Sequence, residues 1–185
     1  MITADLLRTI MPRAGRKADV FAGPLAAACE EFQIATPTRT AAFLAQIAHE
    51  SGQLQWVAEL ASGAAYDNRA DLGNTKADAI RIAGKAGVSS GRYWKGHGLI
   101  RITGYDNHVD TAEYFEIPIL RIVGWLQTPE GASRSAARFW DVHGLNPLAD
   151  AGYFETITRK INGGTNGIAE RLAFWTAAKA ALGVP

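Results

Sequence analysis

The chain carries a single cysteine, Cys29, and therefore no internal disulfide. Cys29 sits among Leu25, Ala28 and Phe32, where it reads as a small buried apolar residue. That usage points to synthesis in a reducing compartment. Charge of one sign is also missing: Lys and Arg total 19 against 18 Asp and Glu. Such a balance argues against a strong electrostatic grip on nucleic acid or an anionic membrane. The opening stretch MITADLLRTIMPRAGRK has no apolar run of the length a signal peptide or spanning helix needs. Internal repeats, heptads and low-complexity tails are absent too. The pair His49-Glu50 invites a zinc reading, but the motif needs a second histidine at position 53, which is Gln53. His97, His108 and His143 have no ligand-like spacing either, so no metal is expected. The glycines match no Walker or dinucleotide pattern.

What is present is mostly helical patterning. With 48% hydrophobic residues in 185, the chain is long enough for one well-buried core. Thr3 caps a short helix with Leu6, Leu7 and Ile10 on one face. Phe21, Leu25, Ala28, Cys29 and Phe32 keep helical spacing, and Gly23-Pro24 is expected to divide that stretch. Thr36-Pro37 is a cap followed by a first-turn proline, opening a helix that buries Phe43, Leu44, Ile47 and Ala48. Thr128-Pro129-Glu130 repeats the signal for a helix running to Gly144. Tyr153, Phe154, Ile157 and Ile161 mark another, stopped by Gly163-Gly164, and the last runs from Ile168 to Gly183. Residues 62–104 are different, rich in glycine and polar residues, with a broken period. Within them LIRIT alternates as a short strand would. That puts Ile100 and Ile102 on one side, and Leu99, Arg101 and Thr103 on the other.

Glu50 follows the apolar face three residues past Ile47. A carboxylate beside apolar neighbours is partly desolvated and holds its proton, which suits a general acid. The plainer alternative is a helix-end glutamate facing water. Glu59 is the obvious second carboxylate. On one continuous helix, nine residues would separate the two by roughly 13 Å on opposite faces. An inverting glycosidase wants about 6.5–9.5 Å. The pairing therefore requires Ser51-Gly52 to break the helix, and Gly52 permits that. Gly91, Gly96 and Gly98 around Tyr93-Trp94 suggest a tight loop presenting aromatic faces to sugar rings, although Trp94 is equally suited to a core. In INGGTNG, Asn162 serves either a ligand or its own turn.

In order along the chain, HESG, Glu59, YDNRADLGNT, GRYWKGHGLIRITGYDN and INGGTNGIAERL resemble the pattern of glycoside hydrolase family 19. The match is nearest to the family's single-domain phage endolysins and covers the chain from about Thr36 to its end. The resemblance implies a mainly α, lysozyme-like helical fold with a small β-hairpin and loop region and two lobes flanking a cleft. It implies one catalytic domain over 1–185, its irregular lobe at about 62–104, with no separate wall-binding domain. The implied activity is inverting hydrolysis of a β-1,4 glycan, peptidoglycan in the phage members, leading to bacterial lysis. By matching position, Glu50 is the general acid and Glu59 the base, and Thr103 holds the attacking water. Tyr66, Asp67, Trp94, Arg101, Asn107, Asn162 and Arg171 form the substrate-binding set. No metal or organic cofactor is implied, because protonation and water activation suffice. The expected partner is the glycan strand, with no nucleic acid, no stable membrane insertion and a monomeric enzyme. It would wait in the host cytoplasm until a separate permeabilising protein released it.

The chain departs from the family pattern at four places. Gly96-His97-Gly98 stands where GRG is usual, Arg101 where Gln is usual, His108 where Tyr is frequent, and Asp67 where Glu is frequent. Arg101 brings a cation to the expected cleft and would favour an acidic glycan over neutral chitin. Asp67 competes with Glu59 for the role of base. Two other function classes stay open at this level. One is a non-catalytic glycan-binding module. The other is a lytic transglycosylase, which would leave anhydro ends on its products.

Overall fold

A computed structural model describes residues 1–185. It is built from helices with almost no sheet, as a mainly α, lysozyme-like fold requires. The chain forms two compact units, Met1–Gln55 with Ala136–Pro185, and Trp56–Ser135.

The first unit is organised on helix α3. Its predecessors are α1 (Ala4–Ile10) and α2 (Lys17–Glu31), and α3 itself is Pro37–Glu50. Thr3 and Thr36 cap as their chemistry dictates, each side-chain oxygen accepting a backbone N–H of the first turn. Every residue of α3 from Thr40 to Ala48 is buried. A helix covered on all sides is a core helix. α11 (Ile168–Leu182) lies along it, with α1 and α9 (Leu145–Asp150) against its other sides. Phe43 meets Trp140 edge to face, with ring centroids 5.4 Å apart. α10 (Phe154–Asn162) ends at Gly163, as the sequence predicts.

Gly23-Pro24 does not divide α2, which runs unbroken through it. Pro24 removes the hydrogen bond to the carbonyl of Val20, which lies on a solvent-facing stretch of the helix, the residue being 48% exposed. Gly23 has no Cβ to clash with the proline ring. Cys29 is buried as predicted, and burial pushes its thiol up to about 12.

The second unit is stitched by short elements. α4 (Ala77–Lys85), α5 (Ser90–Tyr93), α6 (Tyr105–Tyr114) and α7 (Ile119–Leu126) surround the glycine-rich loops. Residues of α8 (Pro129–Val142) up to Ser135 complete it. Buried Asn74 ties these loops, donating to the Tyr66 carbonyl at 2.8 Å and accepting from the Tyr105 amide at 2.9 Å.

LIRIT is not a strand. His97 and Ile102 pair antiparallel, N to O at 3.0 and 2.8 Å, and the four residues between them form a turn. Gly98 and Arg101 both have positive φ, +82° and +63°, and this reverses the chain. The side chains of Leu99, Ile100 and Ile102 are all buried, so the alternation carries no two-faced geometry.

Candidate active site

Glu50 is the last residue of α3, and the helix stops there. Gly52, Gln53 and Leu54 have φ of +58°, +64° and +66°. The Ser51 hydroxyl secures the break, donating to the Ile47 carbonyl at 2.7 Å and accepting from the Leu54 amide at 2.8 Å. Glu59 therefore lies on no continuation of α3, which is the local condition its pairing with Glu50 needs.

The Glu50 side chain is 15% exposed and that of Arg171 is 0% exposed. The guanidinium donates to Glu50 Oε1, to Gln46 Oε1 at 2.5 Å and to the Asn166 carbonyl at 3.1 Å. Gln46 in turn donates to the Thr158 hydroxyl at 2.8 Å. Arg171 is thus a buried clamp on Glu50. The resemblance put it among the substrate contacts, but it has no surface to offer. The preceding residues pair in the opposite sense: His49 Nδ1 lies 2.5 Å from Glu170 Oε2, the carboxylate accepting. Gly167, at φ +72°, passes so close that a Cβ would sit 2.1 Å from His49 Cε1. Asn162 ends α10 on the exposed surface.

In the second unit Glu59 is half-buried. Its amide donates to the Gly96 carbonyl at 2.8 Å. Its Oε2 accepts from the Gly96 amide and its Oε1 from the Tyr66 hydroxyl, both at 3.2 Å. Burial holds the Tyr66 phenol above its ordinary value, and the Glu59 charge and hydrogen bond add to it, while Arg69 and Arg101 pull the other way. A methyl group built on Gly96 would lie 3.0 Å from Arg101 Cβ and 3.2 Å from Thr103 Oγ1. One glycine therefore brings together the Glu59 carboxylate, the Thr103 hydroxyl and Arg101. The Thr103 hydroxyl donates to the Arg101 carbonyl at 2.8 Å, which leaves its lone pairs to accept. Asn107 is exposed in the first turn of α6 and donates to the Thr103 carbonyl at 2.7 Å.

Two further predicted site residues act as supports. Asp67 Oδ1 accepts from the Gly91 amide at 2.7 Å. A Cβ on Gly91 would sit 2.4 Å from the Asp67 amide, so glycine alone allows this approach. Trp94 is 0% exposed, and its indole N–H donates to the Ala79 carbonyl at 3.2 Å. Its ring meets Tyr93, Tyr105 and His108 edge-on. The predicted sugar-facing aromatic is a core residue, because the glycines beside it serve close packing and not display.

No site role could be read from the sequence for Gln46, Asn74 or Glu170, and none for the amide of Gly96. A backbone amide leaves no trace in a sequence, and the other three are known only through partners far along the chain. No metal-binding group of three or more His, Cys, Asp or Glu side chains forms. No helix is long and apolar enough to cross a membrane.

No family model matches the chain. A glycosyl hydrolase family 19 domain-containing protein of Haemophilus influenzae is 30% identical to it, across 74% of this chain and 76% of that protein. The crystal structure of chitinase C from Streptomyces griseus superposes with a TM-score of 0.74 at 20% identity, covering 99% of this chain and 77% of that one. A crystal structure of a bacterial family 19 chitinase gives 0.73 at 18% identity, covering 100% and 96%. The helical fold is that of these structures, and the sequence relationship is specific: this chain belongs to glycosyl hydrolase family 19 and is a glycoside hydrolase.

Proposed function

We propose that the enzyme hydrolyses β-1,4 bonds of peptidoglycan with inversion, as a wall-lysing endolysin. Glu50 gives its proton to the leaving oxygen, and Glu59 takes one from the attacking water. Of the water's two protons, Glu59 takes one. The other stays on the oxygen that becomes the anomeric hydroxyl. It is donated as a hydrogen bond to Thr103, whose own proton is committed to the Arg101 carbonyl, and this aims the oxygen lone pair.

The observation that carries this reading is that each carboxylate has dedicated donors: buried Arg171 for Glu50, and the Gly96 amide with the Tyr66 hydroxyl for Glu59. A module that only bound glycan would have no use for two carboxylates each held by its own donors. The substrate choice rests on Arg101, a cation beside Gly96 and Thr103, which suits the lactyl and peptide carboxylates of peptidoglycan. The two structural neighbours are named chitinases, so neutral chitin is the second reading. In the lysis role, a separate membrane-permeabilising protein gives the enzyme access to the wall.

The test is to digest purified peptidoglycan and chitin oligosaccharides side by side and analyse the products by mass and NMR. The proposal predicts muropeptides with reducing muramic ends, formed first as the inverted anomer. Cleavage of chitin alone removes peptidoglycan as substrate. Anhydro ends make the enzyme a lytic transglycosylase.

A further inference from the structure

His97 and His108 form a fully enclosed pair. They are 4% and 0% exposed, with His97 Nδ1 lying 3.1 Å from His108 Nε2. The tautomers follow from the far end. His108 Nδ1 lies 2.7 Å from the Gly104 carbonyl, which can only accept, so Nδ1 carries the proton. His108 Nε2 is then an acceptor, and His97 must donate to it from Nδ1. The result is a directed chain of two N–H bonds that needs His108 neutral. Burial pushes His97 down to about 3, with His108 and Lys95 adding, and His108 down to about 4, opposed by its bond to Gly104.

The backbone around this pair matters more than its titration. Residues 96–98 are held on one side by residues 57–59: Glu59 N donates to Gly96 O at 2.8 Å, and Gly98 N to Val57 O at 2.9 Å. On the other side His97 exchanges both backbone bonds with Ile102. His97 is therefore the middle rung between the segment that carries Glu59 and the segment that carries Thr103. Its side chain fastens that rung to α6 through His108, and His108 fastens in turn to Gly104, the residue after Thr103. Nothing else in the glycine-rich 96–98 stretch offers a side chain for such an anchor.

We propose that His97 and His108 are positioning residues that fix the Gly96 amide, and through it the Glu59 carboxylate, relative to the Thr103 hydroxyl. This rests on the reading of Glu59 as the base. Neither ring touches substrate; both act through the backbone of residues 96 and 104. Losing the bond lets the Gly96 amide drift, so water activation suffers while glycan binding does not.

The experiment measures kcat and KM of His97→Leu, His97→Asn, Glu59→Gln and the His97→Leu/Glu59→Gln double variant on the glycan that wild type cleaves. Folding is checked by circular dichroism, and the Gly96 amide is followed by NMR. Loss of sub-ångström placement predicts a kcat reduced roughly 10- to 100-fold in His97→Leu, with KM changed less than about twofold and the Gly96 resonance displaced. Asn carries an N–H close to where imidazole Nδ1 stood, so His97→Asn recovers kcat to within about threefold. In the double variant the His97 penalty vanishes, because Glu59 is no longer there to be positioned. Should His97→Leu fail to fold, His97→Gln replaces it. Gln carries its amide one methylene farther out, and the same readouts apply. A folded His97→Leu, or the His97→Gln that replaces it, with wild-type kcat beside an impaired Glu59→Gln overturns the proposal and leaves the reading of Glu59 standing. So do penalties that multiply in the double variant. Wild-type rates in Glu59→Gln remove that reading, and the positioning role with it.

Discussion

Arg171, with no solvent exposure, donates to the carboxylate of Glu50 across 121 positions of sequence. The carboxylate proposed as general acid is thus part of the structural interior as well as of the chemistry.

Arg171→Ala removes a buried cation bonded to three acceptors and takes the guanidinium bond from both Glu50 and Gln46. Breaking one side of a buried pair costs about 3–5 kcal/mol. Arg171→Lys keeps the charge but not the planar fork, and should fall between Ala and wild type. Urea unfolding with activity measured in parallel checks both. An Arg171→Ala variant of native stability would show that the clamp is not structural.

Asp67 and Glu59 make opposite predictions as candidates for the base. Asp67 spends Oδ1 on the Gly91 amide, and Asn can accept that bond as well. Asp67→Asn should lose less than about tenfold in kcat, since only a support is altered. Glu59→Gln should lose on the order of 10²-fold or more, the usual worth of a general base. The reverse ranking in steady-state assays would make Asp67 the base.

The histidine pair gives stability a pH dependence of fixed sign. Unfolded, each ring titrates near 6.5; folded, His97 does so near 3 and His108 near 4. Their folded pKa values are depressed, so the unfolded chain binds more protons. Stability is fully present above about pH 6.5 and falls as the pH drops toward the folded values. Each histidine contributes a slope approaching ~1.4 kcal/mol per pH unit. Denaturant unfolding between pH 7 and 5, above the carboxylate range, should show the loss, and His97→Asn should reduce it. A flat profile in wild type contradicts the neutral pair.

Trp94→Phe tests whether that ring belongs to the core. It deletes the indole bond to Ala79 and leaves a small void. The variant should lose about 1–3 kcal/mol of stability with KM unchanged within about twofold. A large rise in KM at native stability would return Trp94 to the glycan-binding set.

The parts of this fold that were legible in the sequence are those whose chemistry is local. Thr3, Thr36 and Thr128 read as caps because a cap bonds to residues two or three ahead, and all three do so. Gly163 and Gly183 read as stops because a left-handed residue is needed there. Pro24 misled because the helix around Val20 faces solvent, a tertiary fact that the local sequence does not reveal. LIRIT misled because apolar alternation does not reveal that Arg101 turns left-handed. Of the proposed site, Glu50 and Glu59 stand out in the sequence through the order of short motifs. Their holders were not: Arg171 reaches Glu50 only once α11 lies along α3, and Gly96 acts through its amide.

The most direct test of the two-carboxylate mechanism is to follow the clearing of a purified peptidoglycan suspension by wild type, Glu50→Gln and Glu59→Gln, each confirmed folded. Gln keeps the size of Glu and removes the ionisable proton. The mechanism predicts that wild type clears the suspension and that both variants lose at least about 10²-fold in rate. Near-native clearing by either variant would contradict it.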